Sequence, residues 1–184
     1  MKSFQFIFSI FNFVFAQTLV FSLCEGNFQS SNASLWYLDQ NFEIFEGPNN
    51  PIGDTAQSME VNDNKLYVVM NGSGLIQIYT ISENGLEFDH SFAVEFEGPR
   101  YLLIINDTGY LTEWNTNQIK VLDLTAETVV AAIPAGGLPE DIITDGESIY
   151  VSINMNSDWS SGNSVLKIDP DSFEITNEYT VANN

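Results

Sequence analysis

The chain has 184 residues, enough for one domain with a real core, and 44% of them are hydrophobic, which argues against wholesale disorder. Five basic residues against 25 acidic ones give a formal charge of −20. A nucleic-acid partner needs a basic footprint that this chain cannot assemble, and anionic lipid surfaces are disfavoured for the same reason. The acidic excess reads either as a solubilising outer surface or as a field that concentrates cations.

The N-terminal stretch MKSFQFIFSIFNFVFA, residues 1–16, reads as an export signal: Lys2, an apolar run from Phe6 to Phe15, and Val14 and Ala16 at the −3 and −1 positions of a cleavage site. Its core is too short to span a bilayer, so no transmembrane span is expected after cleavage. The alternatives are one longer segment from Phe4 to Cys24, interrupted by Gln5, Asn12 and Gln17, or a lipidated Cys24 after the loose lipobox FSLC. With one cysteine in the mature chain no intramolecular disulfide can form, and Cys24 reads as a small buried apolar side chain.

From residue 18 on, strand signals dominate, and no stretch holds a 3.6-residue apolar period long enough for a helix. A first unit, residues 18–50, offers TLVFSLC, ASLWYLD and NFEIFEG as strands, with Trp36 in the core. A second, 51–97, runs through AQSMEVN, the turn NDNK, LYVVMN, GLIQIYTI and LEFDHSFAVEF. In that last run Leu86, Phe88, Phe92, Val94 and Phe96 share one face opposite Glu87, Asp89 and Glu95, the mark of a strand with one wet side. His90 falls in phase with Phe88 and Phe92, as a packed edge residue. A third unit, 98–137, comprises RYLLIIN, the turn NDTG, YLTEWN, NQIKVLDL and TVVAAIPAG; its continuous apolar run YLLII fits a strand covered on both sides. A fourth, 138–184, comprises EDIITD, the turn DGES, IYVSINMN, NSVLKIDP and FEITNEYTVA, with Phe173, Ile175, Tyr179 and Val181 on one face.

An asparagine closes the second strand of every unit, at Asn27, Asn71, Asn115 and Asn154, a period of roughly 40–45 residues. Four antiparallel strands in such a period make a β-propeller blade. The expected fold is therefore all-β: a β-propeller of four-stranded antiparallel blades, about four of them present. The first unit begins with its second strand and lacks the innermost one. Either the chain is the N-terminal part of a longer propeller or four blades close imperfectly. A two-sheet sandwich has similar strand spacing but does not give an in-register four-strand period.

LCEGNFQSSNASLWYLD, IGDTAQSMEV and GPRYLLIINDTGYLTEWNTNQIKVLDLTAETVVAAIPAGGLPEDI resemble the YVTN-repeat, surface-layer-type β-propellers exported by Gram-negative bacteria. The resemblance covers most of the chain from residue 19. It implies about seven blades in the whole ring and a place in the periplasm or at the cell surface. Related surface propellers beside outer-membrane transporters bind corrinoids, so it also makes a corrinoid a candidate ligand and such a transporter a candidate partner. The name motif departs at Tyr110-Leu111-Thr112-Glu113, where Glu113 replaces the asparagine.

Loops after second strands and loops leading into first strands share one rim of a propeller, where ligand sites commonly lie. The candidate binding residues there are Asp54, Gln57, Asn71, Arg100, Tyr101, Trp114, Asn115, Glu140, Asp141, Asn154 and Trp159. Each has a plainer alternative. The asparagines cap turns, Arg100 ties blades together in place of contacting an anion or amide, and Asp54, Gln57, Glu140 and Asp141 are solvated turn residues. Trp159, in an inserted loop from Met155 to Gly162, either stacks on a planar or sugar-like ligand or packs over a neighbouring blade, and Trp114 poses the same choice. One histidine and one cysteine make neither a zinc cluster nor a nucleophilic triad. Asp169 and Asp171 could hold calcium but sit in a turn. The expected function is an exported, non-catalytic propeller that binds a small molecule or surface partner through its rim, with no cofactor. The alternatives are a propeller-fold enzyme, lyase or quinoprotein-like, with its catalytic residues in further blades, or an architectural envelope module.

Overall fold

The computed structural model describes residues 19–93 and 95–181; the expected signal segment and Val94 lie outside the described residues. The first sheet has three strands, β1 (Val20–Cys24), β2 (Ser34–Leu38) and β3 (Ile44–Glu46). The second has four, β4 (Ala56–Asn62), β5 (Lys65–Met70), β6 (Leu75–Ser82) and β7 (Gly85–Phe92). The third comprises β8 (Pro99–Ile105), β9 (Thr108–Glu113), β10 (Gln118–Asp123) and β11 (Thr128–Pro134). The fourth comprises β12 (Gly137–Thr144), β13 (Ile149–Asn156), β14 (Ser161–Ile168) and β15 (Ile175–Thr180). Every sheet is antiparallel with its strands in chain order. They are four blades of a β-propeller, and the described residues contain no helix. The innermost strands β4, β8 and β12 touch in succession, while among the described residues blade 1 has no counterpart to them. Polar turns join first to second strands; Asp63 and Asn106 there take φ of 53° and 55°, the left-handed region that these residue types tolerate.

Packing explains why the second strands are apolar on both sides. On β5, Leu66, Val68 and Met70 meet Ala33 and Leu35 of blade 1, while Tyr67 and Val69 meet Leu102 and Leu111 of blade 3. On β9, Leu111 faces blade 2 and Tyr110 faces Ile149, Val151 and Ile153 of blade 4. YLLII behaves likewise: Leu102 and Ile104 pack toward blade 2, Tyr101, Leu103 and Ile105 toward blade 4. None of these clusters joins the last blade to the first.

The outward faces of the end blades are consequently uncovered. Ile143 and Tyr179 on blade 4 are 59% and 44% exposed, and Val20 on blade 1 is 51% exposed. Two core expectations fail here. Cys24 is exposed, and Trp36 is only half-buried, its Nε1 donating to Ser34 Oγ at 3.0 Å. Both alternate with Phe21, Leu23, Leu35 and Tyr37, which face blade 2.

Strict alternation also fails in the fourth strands of blades 2, 3 and 4, at the same place in each. The register skips Asp89 between the partners of Ile78 and Tyr79, Val130 between those of Val121 and Leu122, and Thr176 between those of Lys167 and Ile168. Such a bulge turns the rest of the strand over. Phe88 therefore stays with Leu86 and meets Tyr79 edge-on at 5.6 Å, whereas His90 and Phe92 swing toward blade 3. Phe173 likewise packs on Tyr110 and Ile175 pairs with Ile168, while Tyr179 points the other way beside Val165. His90 is thus no packed edge residue. Its half-exposed ring bridges two blades, Nε2 paired with Glu127 and Nδ1 3.4 Å from Asp89. The bond to Glu127 holds the imidazole pKa above its ordinary value, against a smaller opposing effect of burial.

The repeat itself is marked better by tyrosine than by asparagine. Tyr67, Tyr110 and Tyr150 sit opposite Ile78, Val121 and Lys167 in successive blades. Counted from them, Asn71 and Asn154 correspond, but Trp114 takes the slot expected of Asn115. The bond from Trp114 N to Gly98 O repeats that from Asn71 N to Thr55 O. Asn27 lies beyond β1 in a turn, accepting from Ser30 N. The inserted loop is shorter than Met155 to Gly162, because β13 runs to Asn156 and β14 starts at Ser161.

Ile149→Ala, at a wholly buried site, is expected to cost about 2–5 kcal/mol in urea unfolding. Ile143→Ala, on the outward face of the same blade, should change stability by no more than about 0.5 kcal/mol. Equal losses would mean that the outward face is covered.

Candidate functional site

The first strands share a second irregularity. Each breaks register near its start, between Ala56 and Ser58, Pro99 and Leu102, and Pro139 and Ile142. A bulge re-aims the side chains it carries. Counted from the tyrosine partners Glu60, Leu103 and Ile143, the displaced residues Gln57, Arg100 and Glu140 occupy one position in three consecutive blades.

The three side chains join across the inner strands. Arg100 donates from Nε to Glu140 Oε2 at 3.2 Å and from Nη2 to Oε1 at 2.6 Å, a bidentate fork, and from Nη1 to Gln57 Oε1 at 2.6 Å. Both ends of the ion pair are largely buried, 17% and 12% exposed. Hydroxyls reinforce the join: Ser58 Oγ donates to Arg100 O at 2.7 Å, and the buried Thr112 Oγ1 to Glu140 O at 2.8 Å.

Two tryptophans stand beside the fork. The Arg100 guanidinium carbon lies 4.0 Å from the centroid of the Trp114 ring, and Trp159 of blade 4 meets Trp114 edge-on at 6.0 Å. Trp159 is 64% exposed. It sits in a turn closed by Trp159 N donating to Asn156 O, with Asp158 Oδ1 accepting from Ser160 N. The Trp114 Nε1–H is buried and has no acceptor among the described residues. Arg100 uses three of its five N–H donors. Gln57 and Tyr101 also line an open cavity of about 690 Å³. Phe21, Ser22 and Leu23 of β1 form its far wall, where the other blades have an innermost strand.

The remaining candidates serve the loops. Asp54 Oδ2 accepts from Gln29 N at 3.0 Å, and Asp54 N donates to Ser73 Oγ, linking blades 1 and 2 away from Arg100. Asn71 Nδ2 donates to Pro99 O at 2.9 Å, fixing the start of β8. Asn115 is exposed and lies over Gly98, where φ is +71° and an added Cβ would stand 3.1 Å from the amide nitrogen. Asp141 and Asn154 are exposed on the last blade; Asp141 Oδ1 accepts from Ile142 N. Asp169 Oδ1 accepts from Asp171 N and Ser172 N, a turn arrangement. No group of three or more potential metal ligands occurs among the described residues.

The sequence marks Glu113 only as a departure from the name motif and not as a site residue. It is fully buried beneath the Trp114 loop, accepting from Glu97 N at 3.0 Å and Thr116 Oγ1 at 2.8 Å, with Lys120 Nζ 3.7 Å away. Burial pushes its carboxyl above the usual range, and the two hydrogen bonds and Lys120 oppose that.

No protein-family model matches the chain, and no curated protein matches it. Solved structures do. A candidate 6-phosphogluconolactonase of Bacteroides uniformis has a TM-score of 0.68 at 14% identity, over 90% of this chain and 54% of that one. Hydrazine synthase of Kuenenia stuttgartiensis has a TM-score of 0.65 at 18% identity, over 80% and 43%. A Lactobacillus plantarum protein has a TM-score of 0.63 at 20% identity, over 88% and 54%. The likeness is one of fold. The chain spans about half the length of these structures.

Glu140→Ala is expected to lower stability in urea unfolding by about 2 kcal/mol, below the roughly 3–5 kcal/mol of a wholly buried pair because both side chains keep some solvent. Glu140→Gln, which retains one acceptor, should lose less. A loss under about 0.5 kcal/mol for the alanine variant would show that the fork does not hold the blades together.

Proposed function

We propose that the protein is an exported, non-catalytic propeller that captures a small, acceptor-rich, flat ligand at the rim formed by Arg100, Trp114 and Trp159. The observation that carries this reading is a cluster of donors without acceptors among the described residues, a buried indole N–H and two guanidinium N–H groups, beside an exposed aromatic. The exposed Trp159 offers a stacking face at small cost in ordering, since its turn is already closed. The neighbouring cavity beside Gln57 and Tyr101 gives the bulk of such a ligand room. A corrinoid, a flat macrocycle fringed with amides, has this chemistry, and the resemblance to exported YVTN-type propellers supports it as the first ligand to test. An outer-membrane transporter would be the fitting surface partner. A second reading rests on the shared fold with a candidate lactonase and a hydrazine synthase and on the chain's half-length match to them. In that reading the rim belongs to an enzyme whose catalytic residues lie in further blades.

Isothermal titration with cyanocobalamin and cobinamide is expected to give saturable binding that Trp159→Ala weakens about two- to tenfold, the range of one aromatic contact. No saturable heat with either corrinoid, or an affinity untouched by the substitution, would overturn the assignment.

A further inference from the structure

On the opposite rim, a cavity of about 300 Å³ opens between blades 2 and 3, framed by the turns that carry Asp63, Asn64, Asp107 and Glu127. Lys65 and Tyr67 form its inner wall. Internal repetition singles out this tyrosine. Tyr110 Oη donates to Pro170 O at 3.0 Å, and Tyr150 Oη meets Asp145 Oδ2 at 2.9 Å. Tyr67, at the same repeat position and 6% exposed, has no hydrogen-bond partner among the described residues. Its ring is buried but its hydroxyl opens into the cavity, a donor that no described residue engages where its two counterparts are bound, and so free for an external group. Burial first, then the carboxylates of Asp107, Asp63 and Glu127, push its pKa up, so at neutral pH it stays a protonated donor. Lys65, half-buried, forms no ion pair among the described residues.

We propose that this cavity binds a monosaccharide-sized polyol, uncharged or bearing an amine. The volume admits one sugar ring. Carboxylates and an amide on adjacent turns supply paired acceptors and donors for neighbouring hydroxyls, and the phenol and ammonium supply the remaining donors. Three carboxylates against one ammonium disfavour an anionic ligand, even with one Glu127 oxygen engaged by His90. The site is on the other side of the molecule from Trp159, so it stands or falls independently of the corrinoid reading.

The test is an amide-resolved NMR titration of the whole chain with glucose, glucosamine, N-acetylglucosamine, N,N′-diacetylchitobiose and glucose 6-phosphate. The expected result is saturable shifts at residues 62–67, 107 and 124–127 with a neutral or amino sugar, with Kd on the order of 1 mM. Tyr67→Phe, which keeps the ring and removes only the hydroxyl, should weaken that binding about fivefold, the worth of one hydrogen bond; Trp159→Ala should leave it unchanged. Tighter binding of the disaccharide assigns a glycan end as the ligand, and tighter binding of a monosaccharide assigns a free sugar. Shifts confined to other residues, no saturation by any of the neutral or amino sugars, preference for the phosphate ester, or full affinity in the Tyr67→Phe variant would each overturn the proposal.

Discussion

A sheet with the strand KLYVVM at its centre has two apolar faces, and one blade cannot keep both dry. Every other feature of the chain follows from that need for cover on each side. Blades 2 and 3 obtain it from their neighbours, so their second strands are buried almost throughout. Blades 1 and 4 obtain it on one side only. Apolar contacts set which faces meet but leave the sheets free to slide over one another, since the hydrophobic effect has little direction. The polar links fix the relative position: the Gln57–Arg100–Glu140 fork near the axis and the His90–Glu127 pair at the periphery.

The fork also explains why the candidate site has the form it does. Bulges at the starts of the inner strands take Gln57, Arg100 and Glu140 out of the alternation that would otherwise direct them into the seams between blades. Once the guanidinium is held from both sides, it has a fixed plane on which Trp114 can lie, and Trp159 closes over Trp114 from the next blade. Glu113, buried under the same loop, secures the tryptophan from below at the cost of a carboxylate kept out of water. The arrangement is rigid at its base and open at its tip, as a binding rim requires.

Much of the fold was legible in the residues, because turn chemistry and alternation recur with the blade. That blade 1 has three strands among the described residues agrees with where Thr18 to Cys24 falls in the period. What escaped was register. Alternation carries no mark of a bulge, so it puts Phe88 and His90 on one face although the bulge at Asp89 separates them. Cys24 and Trp36 read as core because apolar character says that a face can be covered and not that a neighbour is there. At the site, Gln57, Arg100, Glu140, Trp114 and Trp159 were each singled out from loop position. Their common place in the repeat is hidden because the asparagines stand out in place of Tyr67, Tyr110 and Tyr150, which shifts the third blade by one residue. The sequence does not distinguish Tyr67, since an apolar run hides a phenol that no described residue engages.

Residue-resolved amide hydrogen exchange tests the dependence of each blade on its neighbours most directly. If cover from both sides governs stability, the amides of β5 and β9 exchange slowest, at rates set by global opening, while those of β1 and β15 exchange at least about a hundredfold faster. Protection in β1 and β15 equal to that in β9 would contradict this and mean that the end blades are covered as fully as the middle ones.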